Sequence, residues 1–161
     1  MTEVRDRRRI PASPRDVWRI LGDIERYAEW GPWTLHARPL DRPAGLGAAY
    51  EEHGRVLSPL IRLSRWRIVE FDAPRRQVHR AEAVPLAVAF ERVFELAPDG
   101  DGGTWLTLVV RYRPALGYVG RGLDRALLRW LQARRVPQAL EGIARLAQPA
   151  PGGGPGLAAV R

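Results

Sequence analysis

The spacing of apolar and polar positions changes character along the chain and predicts its elements in order. Residues 2–10 read as an opening strand that ends at Ile10-Pro11. Ser13-Pro14-Arg15-Asp16 follows, with a hydroxyl at an N-cap, proline at the first helical position and a carboxylate at the third. That arrangement satisfies orphan amide donors and suits the positive end of a helix, so a helix starts at Pro14. Val17, Trp18, Ile20 and Leu21 recur at helical spacing, Gly22-Asp23 interrupts them, and Ile24, Tyr27 and Trp30 resume the pattern until Gly31-Pro32. Two short helices in tandem are expected.

From Trp33 to Pro114 the period drops to two. Candidate strands cover 33–40, 47–57, 60–71, 77–84, 86–96 and 104–113, separated by turn segments such as Ser58-Pro59, Asp72-Ala73-Pro74 and the glycine run after Pro98. With the opening strand there are seven, and connections this short force antiparallel pairing. After Pro114 the three-to-four-residue spacing returns at Leu116, Val119, Leu123, Leu127, Trp130, Val136, Leu140, Ile143 and Ala147, predicting one long terminal helix. Pro137 should kink or interrupt it, because its ring removes a backbone donor. Residues 148–161 hold four Gly and three Pro, too little apolar surface to offset ordering, and are expected to be a disordered tail. Residues 1–147 form one domain.

Composition narrows the function classes. A chain of 161 residues, 45% apolar, can build a substantial core without a staple, and with no Cys it holds no thiolate metal site or Cys nucleophile. The first residues carry no apolar run that reads as a signal peptide, so a cytoplasmic location is expected. The net charge of +8 raises nucleic acid as a partner, yet all 26 basic residues are Arg and they are spread through every segment. A solvated basic surface explains this better than a specific nucleic-acid site. Arg62/Arg65/Arg67 is among the densest clusters. The arginines of the terminal helix likewise fit a solvated face better than contact with a membrane surface.

Ile10 to Trp18, followed by Leu21-Gly22-Asp23-Ile24-Glu25-Arg26-Tyr27-Ala28-Glu29-Trp30, resembles the opening of the START-like, polyketide cyclase/dehydrase and lipid transport superfamily, SRPBCC. Trp66 to Arg76 and the glycine hairpin leading to Thr104-Trp105-Leu106-Thr107 are similar to it as well. The resemblance implies an α+β helix-grip (START/Bet v 1-like) fold: a curved seven-stranded antiparallel sheet gripping the long C-terminal helix, with two short helices and an internal cavity for hydrophobic small molecules. Such proteins include polyketide aromatase/cyclases, lipid and isoprenoid carriers, hormone receptors and folding-machinery activators. Fold does not choose among them.

On the 86–96 strand, Leu86, Val88, Phe90, Phe94 and Leu96 share one face with Arg92, opposite Glu91 and Glu95. A guanidinium on an apolar face needs an anion or water. Arg92 therefore either holds a ligand carboxylate, phenolate or enolate, or pairs with a strand carboxylate such as Glu82 or Glu52. His36, His53 and His79 stand alone in predicted strands without metal-ligand spacing; any one of them is a candidate general base if it faces the cavity, His36 and His79 foremost. Tyr50 and Tyr112 are candidate donors to a ligand carbonyl, or core tyrosines. Six Trp is a high number for this length. Trp18 reads as packing, Trp30 and Trp33 as flanking a cavity mouth, and Trp66, Trp105 and Trp130 as lining or filling the interior. The expected ligand-binding set is thus Trp30, Trp33, Tyr50, Trp66, Phe90, Arg92 and Tyr112, with Leu123 and Leu127 from the helix. Asp99 to Gly103 resembles a calcium loop, but Val110 stands where its Glu would be, so it is a turn. No cofactor or metal is implied.

Three functions remain open. The first is a polyketide-cyclase-like protein in which cavity residues orient a reactive polyketone. The second is a non-catalytic carrier or sensor of lipid or isoprenoid, and the third a protein-binding regulator.

Overall fold

A computed structural model of the chain describes residues 1–57, 60–83, 87–114, 122 and 127–148. The strands are β1 (Thr2–Ile10), β2 (Thr34–Pro39), β3 (Ala49–Leu57), β4 (Leu60–Asp72), β5 (Arg76–Ala83), β6 (Ala87–Pro98) and β7 (Thr104–Pro114). Between β1 and β2 lie α1 (Pro14–Gly22), a 3-10 turn (Ile24–Arg26) and α2 (Tyr27–Trp30); α3 (Arg129–Ala147) closes the described chain. The tandem-helix reading holds at its start. Ser13 Oγ accepts from the Asp16 amide at 3.3 Å and donates to the Asp16 carboxylate at 2.6 Å, with Pro14 in the first turn.

All seven strands form one antiparallel sheet in the order β1-β7-β6-β5-β4-β3-β2. Strands β2 to β7 each pair with the next in sequence, and β1 pairs with β7, so the connection through α1 and α2 carries the chain from one edge of the sheet to the other. Register shifts in the β2–β3, β3–β4, β4–β5 and β6–β7 pairs bend the sheet, since each extra residue adds a local kink and twist. In this order the ends of β3, β5 and β7 and the starts of β4, β6 and β1 fall at one end of the sheet.

Helix α3 lies on the inner face, where Val136, Ala139, Leu140 and Ile143 are fully buried among Ile10, Leu106, Leu108 and Val110. Gly142 makes the approach possible: a Cβ there would sit 2.7 Å from Trp30 Cα and 2.8 Å from its carbonyl oxygen, so any side chain would drive α3 off α2. Pro137 does not interrupt the helix, which runs from Arg129 to Ala147 through it. Its exposed position loses one backbone hydrogen bond to water rather than to the core. The expected earlier part of the helix, including Leu116, Val119 and Leu123, and the tail beyond Gln148 lie outside the described residues.

The inner and outer faces follow the alternation of β6. Phe90, Arg92, Phe94 and Leu96 are buried inside, and Glu91 and Glu95 face out. Outside, Glu91 pairs with Arg80 and Glu95 with Arg76. These arginine stems flank Val78, Val93 and Val109, a small second cluster buried on the face that carries no helix.

Candidate functional site

The inner faces of β3 to β7 bring most of the candidate residues together. Tyr50 and Glu52 come from β3, Arg62, Ser64 and Trp66 from β4, Gln77 and His79 from β5, Phe90 and Arg92 from β6, and Tyr112 from β7. Rings line this face in succession. Tyr50 stacks on Trp66 with centroids 6.2 Å apart, Trp66 meets Phe90 edge-on at 5.7 Å, and Phe90 stacks on Tyr112 at 5.7 Å. Arg62, Phe90 and Tyr112 stand two or three residues from the strand ends that share one end of the sheet.

Arg92 is satisfied from within the protein. Its Nη1 donates to Glu52 Oε2 at 2.6 Å and its Nη2 to Glu52 Oε1 at 3.0 Å, with the two side chains 3% and 0% exposed. The guanidinium carbon lies 4.0 Å from the Trp66 ring centre and 4.5 Å from that of Trp33, so two aromatic faces enclose the ion pair. Burial opposes the charge on Arg92, but the Glu52 carboxylate outweighs it and the group stays above its ordinary pKa. Of the two roles open to Arg92, the pair with a strand carboxylate is the one that forms. The alternative partner, Glu82, binds Arg67 at the surface instead.

Next to this pair runs a neutral hydrogen-bond chain. Tyr50 Oη lies 2.9 Å from His79 Nδ1, and His79 Nε2 lies 3.2 Å from Gln77 Oε1. Because the Gln77 oxygen only accepts, Nε2 carries the imidazole proton, Nδ1 accepts, and Tyr50 is the donor. Burial, helped by the charge of Arg92, pushes the His79 pKa down to about 3, and burial pushes Tyr50 well above the ordinary phenol value. Both groups are therefore neutral near pH 7. Tyr27 packs edge-on against Tyr50 and donates to the Leu21 carbonyl at 2.8 Å.

Several sequence expectations change here. Trp30 and Trp33 are each 3% exposed, so they belong to the core rather than to a cavity mouth. Trp30 is pressed by Gly142 of α3, and Trp33 packs on Arg92. Of Trp66, Trp105 and Trp130, only Trp66 faces inward: Trp105 lies on the outer face under Arg7, and Trp130 is 49% exposed with Arg134 over it. His36 faces solvent, where its ring meets that of His53 across the β2–β3 pair at 6.2 Å. A solvent-facing imidazole is not positioned to serve the interior as a base. Leu127 is half-buried ahead of α3, and Leu123 lies outside the described residues.

Arg62 is the residue that the sequence pattern did not single out. It clusters with Arg65 and Arg67 along the chain, yet Arg62 shares the inner face of β4 with the buried Ser64, Trp66 and Ile68, while Arg65 and Arg67 face out. The two-residue alternation through Trp66 and Ile68 carries that signal. Arg62 forms no ion pair with a described carboxylate, and its Nε is buried without a hydrogen-bond partner. Its guanidinium carbon lies 6.0 Å from the Phe90 ring centre. Burial, then the charge of Arg92, lowers its pKa to about 10, against the opposing pull of Glu52.

Among the described residues no group of three or more His, Asp or Glu could hold a metal ion, and no helix is long and apolar enough to cross a membrane. Surface hollows lined by described residues lie elsewhere, as between Gly22–Glu25 and Pro39–Ala44, and between Pro11–Ala12 and Leu146–Gln148.

The family described as polyketide cyclase / dehydrase and lipid transport matches residues 1–148. The chain belongs to this family. Its fold recurs in solved structures. An aromatase/cyclase, Zhui, from Streptomyces sp. R1128 superposes with a TM-score of 0.78 at 21% identity, covering 91% of this chain and 93% of that one. The protein TTHA0849 from Thermus thermophilus superposes at 0.74 with 24% identity, covering 91% and 97%. A START superfamily protein from Mycobacterium smegmatis superposes at 0.73 with 16% identity, covering 91% and 99%. No curated protein is similar enough to the chain to count as a relative. Family membership supports hydrophobic ligand binding at family level, and the helix-grip architecture agrees with the sheet and α3 described above.

Proposed function

We propose that this member of the polyketide cyclase/dehydrase and lipid transport family binds an apolar, ring-bearing small molecule between the inner face of the sheet and the terminal helix. The observation that carries the reading is the ring series from Tyr50 through Trp66 and Phe90 to Tyr112, which reaches the end of the sheet where three pairs of strand ends meet. Flat aromatic walls favour a flat guest, because offset stacking adds to the burial of area. The first role is cyclase-like: holding a polyketide-like guest in a folded conformation so that ring closure follows from orientation.

A second reading, a non-catalytic carrier or sensor of lipid or isoprenoid, is favoured by the way the buried titratable groups use one another. Glu52 is spent on Arg92, and His79 on Tyr50 and Gln77. With its pKa near 3, His79 is a weak base at neutral pH. The test begins with N-phenyl-1-naphthylamine, a neutral apolar fluorophore, titrated into the purified protein. Saturable enhancement with a blue shift is expected, and no binding of this probe or of a panel of aromatic and lipid ligands would overturn the proposal. A linear poly-β-ketone analogue then separates the two roles: a changed ratio of ring-closed products supports the cyclase-like role, and binding without such a change supports the carrier.

A further inference from the structure

Among the described residues, the inner face of the sheet carries two arginines, Arg62 and Arg92, and a single ion pair. Among the described residues Glu52 is the buried carboxylate of the inner face, and Arg92 donates to both of its oxygens. Arg62 stands on the same inner face and forms no ion pair with that carboxylate, although the Glu52 charge acts on it. Between them lies Gly54, where a Cβ would sit 3.4 Å from Glu52 Oε1 and 3.6 Å from Arg62 Nε. The two groups face each other across this small gap without forming an ion pair. Among the described residues, the other charges that reach Arg62 are cations, Arg92 and Arg135 of α3, and both repel it. A partly desolvated guanidinium in such surroundings is costly unless an anion arrives from outside the described residues.

Its neighbours have hydrogen-bond donors to offer an anion. Ser64, the next residue on that face, is 1% exposed, and its hydroxyl has no partner. The Trp66 indole N–H, two residues further on, is also buried and unpartnered. Arg62 also faces the Phe90 ring of the aromatic wall.

We propose that Arg62, with Ser64 beside it, seats the carboxylate of a monoanionic guest whose ring system lies along Phe90 and Trp66. This rests on the interior binding site proposed above and adds the chemical class of its ligand. One guanidinium without an ion pair to a described carboxylate matches one negative charge. The planar donor fork of arginine suits a carboxylate, and the guanidinium stays protonated throughout the working range. The seat explains why an arginine, rather than another aliphatic residue, continues the inner row of Trp66 and Ile68.

The experiment compares 2-naphthoate with 2-naphthalenemethanol, which has the same rings and no charge, by isothermal titration at neutral pH. The wild-type protein should bind naphthoate at least tenfold more tightly than the alcohol. Arg62→Met should abolish that preference and leave the alcohol affinity within about twofold, and Ser64→Ala should weaken naphthoate alone. A far-ultraviolet circular dichroism melt of Arg62→Met checks the fold, which should be as stable as wild type or more so, since a poorly compensated cation has been removed. Equal binding of the two ligands, or a preference that survives Arg62→Met, overturns this proposal and leaves the interior binding site standing. Failure of both ligands to bind overturns the site as well as the seat.

Discussion

Replacing Glu52 with Gln tests whether the interior is organised around its ion pair. The substitution keeps the shape of the side chain and removes its charge, leaving the Arg92 guanidinium, only 3% exposed, without a counter-ion between Trp33 and Trp66. Deleting one partner of a buried pair costs about 3–5 kcal/mol, because the remaining charge stays desolvated. The Gln carbonyl can still accept one of the two hydrogen bonds now made at 2.6 and 3.0 Å. A bond from the still-charged guanidinium to that carbonyl returns about 1.5–2 kcal/mol, so the expected loss is about 2–3 kcal/mol. The contacts with Trp33 and Trp66 persist in the variant and largely cancel. For a chain of this size, that loss lowers Tm by about 5–15 °C. Arg92→Met alone strands Glu52 and should cost a similar amount, whereas the double variant Glu52→Gln/Arg92→Met restores a neutral interior. Urea unfolding followed by tryptophan fluorescence measures all four proteins. A coupling of about 2 kcal/mol or more, with the double variant more stable than either single one, is expected. If either single variant stays within about 0.5 kcal/mol of wild type, or if the two losses simply add, the pair does not organise the interior and the reasoning fails.

Two further outcomes follow from single sites. Gly142→Ala places a methyl within 2.9 Å of three Trp30 atoms, two of them backbone, so α3 must shift; a loss of about 1–3 kcal/mol is expected in thermal melts, and an unchanged Tm would mean that this helix contact is loose. His79 should resist protonation: with a folded pKa of about 3 against roughly 6.5 unfolded, the unfolded state binds more protons between those values. Stability is then complete above about pH 6.5 and falls by about 1.4 kcal/mol per unit as the pH drops below it. His79→Gln should flatten that slope in urea titrations at pH 7, 6 and 5, and a wild-type imidazole titrating near 6.5 by NMR would contradict the burial argument.

What the sequence determined by itself was local. The Ser13 cap and Pro14 set the start of α1, alternation set the two faces of β6, and turns too short for a crossover set antiparallel pairing. Each is decided by neighbours within a few residues, where backbone geometry and side-chain period act directly. The sequence also narrowed Arg92 to an anion or a strand carboxylate, with Glu52 among the choices. Which one it meets was settled only by the tertiary structure, because Glu52 lies 40 residues away on β3, with β4 and β5 between it and β6. Sheet curvature, accumulated over several register shifts, closes that distance. The same curvature brings Trp33 and Trp66 to opposite sides of one guanidinium, draws Trp30 under α3 and sends Trp130 out to solvent. Arg62 shows the boundary between the two kinds of information: its inward direction was written in the period of β4, but that it pairs with no described carboxylate while Arg92 holds Glu52 was decided by the tertiary structure.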